Sequence, residues 1–186
     1  SVMNIEIIDN CVPEFYQDLF EGLCLGKTKG CEIENGLPWT AKYESTARRD
    51  GISPLSFKHI LKSSAELSPH FVNFSTIPVN VINRLGMALQ DIIFARLFLT
   101  MPYKTDLKHH DPHTDLNFPH LSLIYYVNDA DGDTVFFQED YKTVFESVTP
   151  KKGRCVVFDG LIPHGARIPE SGPRCIVNYN LQVANR

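Results

Sequence analysis

The sequence lacks an excess of positive charge, a long apolar run and an even set of cysteines. Its 186 residues carry a net charge of −4 at pH 7, so no basic surface for a nucleic-acid backbone is expected. No run reaches the roughly 20 apolar residues of a membrane-spanning helix, and no basic segment followed by an apolar run marks a secretory signal. Five cysteines without a C-x-x-C pair favour reduced thiols. These absences predict a cytoplasmic protein that binds neither nucleic acid nor membrane.

The pattern of apolar residues changes near residue 90. Before that point it predicts a short strand and three helices, at 5–8, 12–25, 57–67 and 78–89, with a loop over 26–54. After it, eight short β-rich runs are separated by turn residues, at 92–101, 107–115, 121–127, 134–138, 143–148, 154–158, 164–168 and 174–181. We therefore expect one α+β domain over 1–186, mainly β. Residues 1–91 would form a helical N-terminal support, and 92–182 a sandwich or jelly-roll core of eight strands.

Histidines cluster after residue 108, where the pattern H-x-D occurs twice, in His109-His110-Asp111 and in His113-Thr114-Asp115. Residues i and i+2 of a strand face the same side, so either pair could offer an imidazole nitrogen and a carboxylate oxygen to one ion. Two histidines and one carboxylate are the ligands of non-haem iron(II) sites that keep positions open for substrate and oxygen. Taken alone, the pattern also fits a solvated polar strand end.

A third histidine and an arginine follow near the C-terminus. His164 begins a predicted strand after an apolar run, and Arg174 begins the last predicted strand ten positions later. In an antiparallel hairpin these two residues lie on neighbouring strands, close enough to serve one pocket. The rigid fork of an arginine suits a carboxylate. Chance poorly explains this order of features, in which an H-x-D pattern is followed by a distant histidine and then by this arginine.

The stretch from about residue 92 to 181 resembles the 2-oxoglutarate and iron(II)-dependent dioxygenases, specifically their prolyl 4-hydroxylase-like branch. The resemblance covers roughly half of the chain and rests on motifs spread along it. These are His113-Thr114-Asp115, the YLN-like Tyr125-Tyr126-Val127-Asn128, Asp131-Gly132-Asp133-Thr134-Val135-Phe136 in place of G-G-E-T-x-F, Pro150-Lys151-Lys152-Gly153-Arg154 with Phe158, and then His164 and Arg174.

The resemblance implies a double-stranded β-helix (jelly roll) with iron(II) at one open end. The implied metal ligands are His113, Asp115 and His164. The implied cosubstrate is 2-oxoglutarate, whose distal carboxylate would reach Arg174, and the implied supporting contacts are Tyr126 and Tyr103. O2 is the second cosubstrate, and ascorbate is an optional reductant.

The second H-x-D pair is favoured as the ligand pair. It stands closer to Tyr125, and Pro112 directly before it fixes the backbone that enters the site. His109, His110 and Asp111 would then line the mouth of the site or be solvated.

The resemblance implies hydroxylation of a C–H bond with release of succinate and carbon dioxide. A prolyl residue of a peptide or protein is the expected substrate, with a free amino acid or another small metabolite as the alternative. The family's usual Trp after the cosubstrate cation is missing, and Asn178-Tyr179-Asn180 occupies that strand, which leaves the substrate open. The loop 26–51, with Trp39, Arg48 and Arg49, would be a recognition loop or an ordinary surface loop.

Two other functional classes and the oligomeric state stay open. A non-catalytic jelly-roll binding module would need no metal ligands. A zinc-dependent hydrolase would use the same ligands but would need a general base close to the metal, and it gives Arg174 no task.

Overall fold

The computed structural model describes residues 4–42 and 55–185. Two helices, α1 and α2, precede most of the strands along the chain. The elements in order are β1 Ile5–Ile8, α1 Glu14–Leu25, β2 Lys27–Thr28, β3 Cys31–Glu32, β4 Thr40–Ala41, β5 Ser56–Lys62, α2 Phe71–Arg84, β6 Met87–Thr100, β7 Leu121–Tyr126, β8 Thr134–Phe137, β9 Val144–Val148, β10 Cys155–Asp159, β11 His164–Ala166 and β12 Arg174–Asn185.

Two antiparallel sheets form the jelly roll, which confirms the predicted fold class. The larger sheet has the strand order β1-β10-β7-β12-β6-β5-β4, and the smaller has the order β11-β8-β9. Side chains alternate across the larger sheet because successive residues of a strand point to opposite faces. On β7, Ile124 and Tyr126 pack towards Phe136 of the smaller sheet, while Leu123 and Tyr125 pack with the helices. The larger sheet is therefore covered on both faces.

The helices are held to the sheet by aromatic packing and by one hydrogen bond. Phe20 of α1 stacks on Phe74 of α2 with ring centroids 4.4 Å apart, and it meets the ring of Tyr125 edge-on. Pro78 lies inside α2 and has no N–H to donate to the carbonyl oxygen of Phe74. The hydroxyl of Tyr179 on β12 donates to that oxygen instead, at 2.7 Å. The proline is tolerated because the sheet supplies the missing donor.

Three local predictions were wrong. The segment 57–67 is not helical, because its first half is strand β5, paired antiparallel with β6. The spacing of a short apolar run fits both a helix and a strand, and the presence of a partner strand decides between the two. The helix predicted at 78–89 is α2, which begins at Phe71 and is followed by Gly86 at φ 76. The run 107–115 is not a regular strand; within the described ranges its one ladder contact is the bridge between His113 and His164.

The other predicted strands and helix agree with the structure, but the described part of the predicted loop, residues 26–42, contains the short strands β2, β3 and β4. The strand at 5–8 and the helix within 12–25 are present, as is a strand in each remaining β-rich run. Strands β1, β4 and β5, which precede residue 91, also join the larger sheet. All five cysteines are free thiols. Neither α1 nor α2 has the length and apolar character needed to cross a membrane. Arg48 and Arg49 lie outside the described residues.

Candidate metal and cosubstrate site

Three side chains converge beside the smaller sheet. The backbones of His113 and His164 exchange two N–H···O hydrogen bonds of 3.0 Å, which sets the two residues side by side. Asp115 follows two positions after His113, and its Oδ1 lies 3.3 Å from His113 Nε2. Its Oδ2 lies 4.0 Å from His164 Nε2. One ligand atom from each residue lies within 4.8 Å of the other two.

Backbone carbonyls fix how the two imidazoles are protonated. His113 Nδ1 lies 3.3 Å from the carbonyl oxygen of Asp111, and His164 Nδ1 lies 3.0 Å from that of Ile162. A carbonyl oxygen can only accept a hydrogen bond, so each Nδ1 carries the proton when the ring is neutral. Each Nε2 then has a free lone pair on the side of Asp115. This is the arrangement that orients histidine ligands in metal sites.

Two asparagines of β12 hold the carboxylate of Asp115. Asn178 Nδ2 and Asn180 Nδ2 each donate to Asp115 Oδ2 at 3.0 Å. Arg96 Nη2 lies 3.9 Å from the same oxygen and donates to Asn180 Oδ1 at 3.0 Å. Oδ2 is therefore occupied by amide donors, while Oδ1 faces His113. The arrangement favours Oδ1 as the oxygen that binds a metal.

The electrostatics of the three residues follow from this geometry. Burial alone would raise the pKa of Asp115, but the bond to His113, the charge of His164 and the two amide donors together lower that pKa well below its usual range. The hydrogen bond to Asp115 raises the pKa of His113, whereas burial lowers the pKa of His164. Asp115 is an anion, and His164 is neutral near pH 7. Two imidazole nitrogens and a carboxylate oxygen fit iron(II), and zinc accepts the same donors.

A cavity of about 340 Å³ opens beside these residues and contains Arg174. Arg174 is 5% exposed. Its Nε donates to the carbonyl oxygen of Gly132 at 2.6 Å, and its Nη2 donates to Thr134 Oγ1 at 2.9 Å. Residue 132 must be small here, because a Cβ atom would come within 2.6 Å of the Arg167 carbonyl oxygen. The cation is thus fixed in the wall of the cavity that holds His113, Asp115 and His164.

The two predicted tyrosine contacts lie in different places. The hydroxyl of Tyr126 is hydrogen-bonded to Thr134 Oγ1 at 2.7 Å, and its fully buried ring does not line the cavity. Tyr126 therefore contacts Arg174 through Thr134 and through its own ring, whose centre lies 6.0 Å from Arg174 Cζ. Tyr103 lines a second cavity with His109, so the structure does not bring Tyr103 together with the three clustered residues.

The segment with the alternative H-x-D pattern, His109-His110-Asp111, is divided between the two cavities. His109 lines the second cavity, whereas His110 lines the first. Burial, together with the charges of Arg174 and Lys42, lowers the pKa of His110 to about 4, so this ring is neutral near pH 7. Within the described part of the chain, His113, Asp115 and His164 form the one cluster with metal-binding geometry.

Several residues of the site were not predicted from the sequence. Arg96, Lys42 and Thr134 line the cavity, and Asn178 and Asn180 bind Asp115. The two asparagines could have been recognised, because positions 174, 176, 178 and 180 of one strand share a face. Arg96 and Lys42 belong to segments that carry no recognisable motif.

Residues 99–182, a little under half of the chain, match the model of the 2OG-Fe(II) oxygenase superfamily. The predicted resemblance is therefore confirmed. His113, Asp115, His164 and Arg174 all lie inside the matched segment. Iron(II) and 2-oxoglutarate, which the superfamily's description names, are the predicted cofactors. The chain is also 39% identical over 64 residues to prolyl 3-hydroxylase 2 of Homo sapiens, a match that covers 32% of this chain and 9% of the human protein.

Solved structures of 2OG-Fe(II) oxygenases share the fold. A prolyl-4-hydroxylase of Pseudomonas putida aligns with a TM-score of 0.57 at 13% identity, over 100% of this chain and 94% of that one. A Trichoplax adhaerens prolyl hydroxylase, solved with a hypoxia inducible factor peptide fragment, aligns with a TM-score of 0.60 at 13% identity, over 95% and 83%. At these identities the likeness concerns the fold alone.

Proposed function

We propose that this chain is an iron(II)- and 2-oxoglutarate-dependent dioxygenase that hydroxylates a C–H bond, with residues 1–186 as one catalytic domain. The observation that carries the proposal is the convergence of His113, Asp115 and His164 in the cavity that also holds Arg174. A zinc hydrolase would need the three ligands but gives a buried arginine in the same cavity no task. A binding module would need neither.

Each residue has a physical task in this proposal. His113 and His164 present Nε2 lone pairs, because their Nδ1 atoms are bonded to carbonyl oxygens. Asp115 presents Oδ1, because Asn178 and Asn180 hold Oδ2. When bound, iron(II) and 2-oxoglutarate use O2 to hydroxylate the substrate, with release of succinate and carbon dioxide.

Arg174 binds the distal carboxylate of 2-oxoglutarate. Its Nε and Nη2 are already bonded to Gly132 and Thr134, so the plane of the guanidinium is set before the cosubstrate arrives. Tyr126 supports this contact through the hydroxyl of Thr134. A cation fixed in advance loses little conformational entropy when the ligand binds.

A prolyl residue of a peptide or protein is the first proposed substrate. The names of two similar solved structures support it. Both are prolyl hydroxylases, and one of them was solved with a peptide fragment. A small carboxylate-bearing substrate is the second candidate, and the charges of the cavity favour it, as argued below.

Succinate release tests the proposed function. The purified chain is incubated with iron(II), 2-oxoglutarate and ascorbate against a panel of prolyl peptides and free amino acids. We expect substrate-dependent succinate from the wild type and none from His113→Ala, while Gln17→Leu, a buried amide far from the cavity, keeps its activity. Stimulation by zinc in place of inhibition would favour the hydrolase. Unchanged succinate release by His113→Ala would contradict the proposal.

A further inference from the structure

With a divalent metal bound, the described lining of the cavity carries more positive charge than Asp115 and the cosubstrate can offset. Its described lining contains three cationic side chains, Lys42, Arg96 and Arg174, and one anion, Asp115. In the proposed function Arg174 is offset by the distal carboxylate of 2-oxoglutarate. The other carboxylate of the cosubstrate and that of Asp115 offset a divalent metal. Among the described lining residues no further anion then faces Arg96 and Lys42, and an anionic ligand would offset their charges.

Arg96 and Asn178 each have one polar atom without a partner. They are direct partners across the β6–β12 ladder, so their side chains share one face of the sheet. Arg96 Nε, a donor, and Asn178 Oδ1, an acceptor, are both buried and make no hydrogen bond within residues 4–42 and 55–185. Asn178 is only 6% exposed. Buried polar atoms are nearly always paired, so these two indicate a ligand with one acceptor and one donor.

This part of the cavity lies apart from Arg174. On β6 the residues Arg96, Phe98 and Thr100 alternate towards the cavity, and Thr100 is the ladder partner of Arg174. Four residues of strand separate the two levels by about 13 Å. The side chains of Arg96 and Arg174 therefore leave the sheet at different levels, and Arg96 stands at the level of Asn178.

Lys42 adds a second donor at the Arg96 end. Its Nζ lies 4.7 Å from the centre of the Phe98 ring, a cation–π contact that holds the ammonium at the cavity. Desolvation, followed by the charges of Arg96 and Lys58, lowers the pKa of Lys42. An anion bound between Lys42 and Arg96 would relieve that repulsion.

We propose that Arg96, Lys42 and Asn178 form the substrate subsite, and that it takes a free carboxylate with a neighbouring N–H donor. Arg96 Nε and Lys42 Nζ donate to the carboxylate, and Asn178 Oδ1 accepts from the N–H group. A free amino acid has this pair of groups, as does the C-terminal residue of a peptide unless that residue is proline, whose peptide nitrogen has no hydrogen. A prolyl residue inside a peptide does not, because its carboxyl is part of an amide. The inference rests on the proposed function and specifies its substrate class.

Matched acids and amides test the subsite without any mutation. Succinate release is measured for free L-amino acids, beginning with L-proline, against the corresponding amides such as L-prolinamide. A second arm compares peptides that end in a residue other than proline, which keeps its N–H, with their C-terminally amidated forms and with peptides that hold proline internally. We expect at least one carboxylate to be turned over, with kcat/KM about 10- to 100-fold lower for its amide, the range for a lost bond to a charged group. The two arms distinguish a free amino acid from a peptide C-terminus.

Binding supplies a readout that does not depend on turnover. Calorimetric titration of the active carboxylate into protein loaded with manganese(II) and 2-oxoglutarate should give a Kd that Arg96→Gln raises about 10- to 100-fold. The Kd of Arg96→Lys should lie between that of the wild type and that of Arg96→Gln. Lys27→Gln removes an exposed positive charge from β2, outside the cavity, and should leave the Kd unchanged. The affinity for 2-oxoglutarate should be the same in all four proteins.

The outcomes separate the two proposals. Failure of the metal-loaded wild type to bind 2-oxoglutarate would overturn the proposed function itself. If 2-oxoglutarate binds, the subsite is overturned by equal turnover of acids and amides, by turnover of internal prolyl peptides alone, or by no turnover of any carboxylate in either arm. It is also overturned if Arg96→Gln weakens 2-oxoglutarate binding as much as substrate binding, since Arg96 would then serve the cosubstrate.

Discussion

Replacing Asn180 with leucine should weaken metal binding without removing a metal ligand. Asn180 is fully buried, and its Nδ2 donates to Asp115 Oδ2 at 3.0 Å. Leucine has a similar size but no donor, so the carboxylate keeps only the bond from Asn178 and gains freedom to rotate. Loss of such an outer partner reduces metal affinity about 10- to 100-fold, which corresponds to about 1.4–2.7 kcal/mol. Arg96 also loses its acceptor on Asn180, so the free energy of unfolding should fall by about 1–3 kcal/mol.

A competition titration measures this effect directly. Manganese(II) or iron(II) is titrated anaerobically into the protein in the presence of a chelating dye, and thermal melting shows that each variant is folded. The matched control is Gln17→Leu, which removes another buried amide, one that donates to the Val12 carbonyl oxygen at 2.9 Å far from the cavity. The control should lose stability but keep its metal affinity. The reasoning is refuted if folded Asn180→Leu binds metal as tightly as Gln17→Leu does.

Four further results are expected. Arg174→Lys keeps the charge but loses the fork held by Gly132 and Thr134, so the Kd for 2-oxoglutarate should rise about 10- to 100-fold by calorimetry, with metal affinity unchanged. Tyr126→Phe removes the hydroxyl bonded to Thr134 and should raise the same Kd only about 2- to 10-fold, since it acts through Thr134. Metal affinity should fall as the pH drops through the raised pKa of His113. Dye competition should show this loss of affinity beginning above the ordinary imidazole pKa of about 6.5. A loss that begins only well below that pH would contradict the prediction. Phe74→Ala should lower the free energy of unfolding by about 3–5 kcal/mol in urea titrations and leave metal affinity intact, since Phe74 packs on Phe20 away from the cavity.

The strands after residue 90 were predictable because turn residues separate short apolar runs there. The segment 57–67 was not, because its apolar spacing also fits a helix, and only pairing with β6 makes it a strand. The sequence predicts that Pro78 starts a helix, the commonest place for proline in a helix. In the structure Pro78 lies inside α2, and Tyr179 satisfies the Phe74 carbonyl that this proline leaves unpaired. That compensation comes from a residue 105 positions away in the chain.

The site likewise contains some residues that the sequence predicts and others that it does not. His113, Asp115, His164 and Arg174 are predicted because their residue types, order and spacing form a pattern, and the structure brings all four to one cavity. Arg96 was not found, since a lone arginine on a strand carries no signal of its own until the ladder sets it opposite Asn178. Tyr103 was expected near the cosubstrate from its distance along the sequence, and the irregular path of 101–112 carries it to another cavity.

Anaerobic titration with iron(II) and 2-oxoglutarate tests most directly whether His113, Asp115 and His164 bind one metal together with the cosubstrate. The wild type should develop a weak visible charge-transfer band only when both are added. Folded His113→Ala, Asp115→Ala and His164→Ala should each lose the band, while Gln17→Leu keeps it. A correctly folded wild type without the band, or a band of full strength in His164→Ala, would contradict the account.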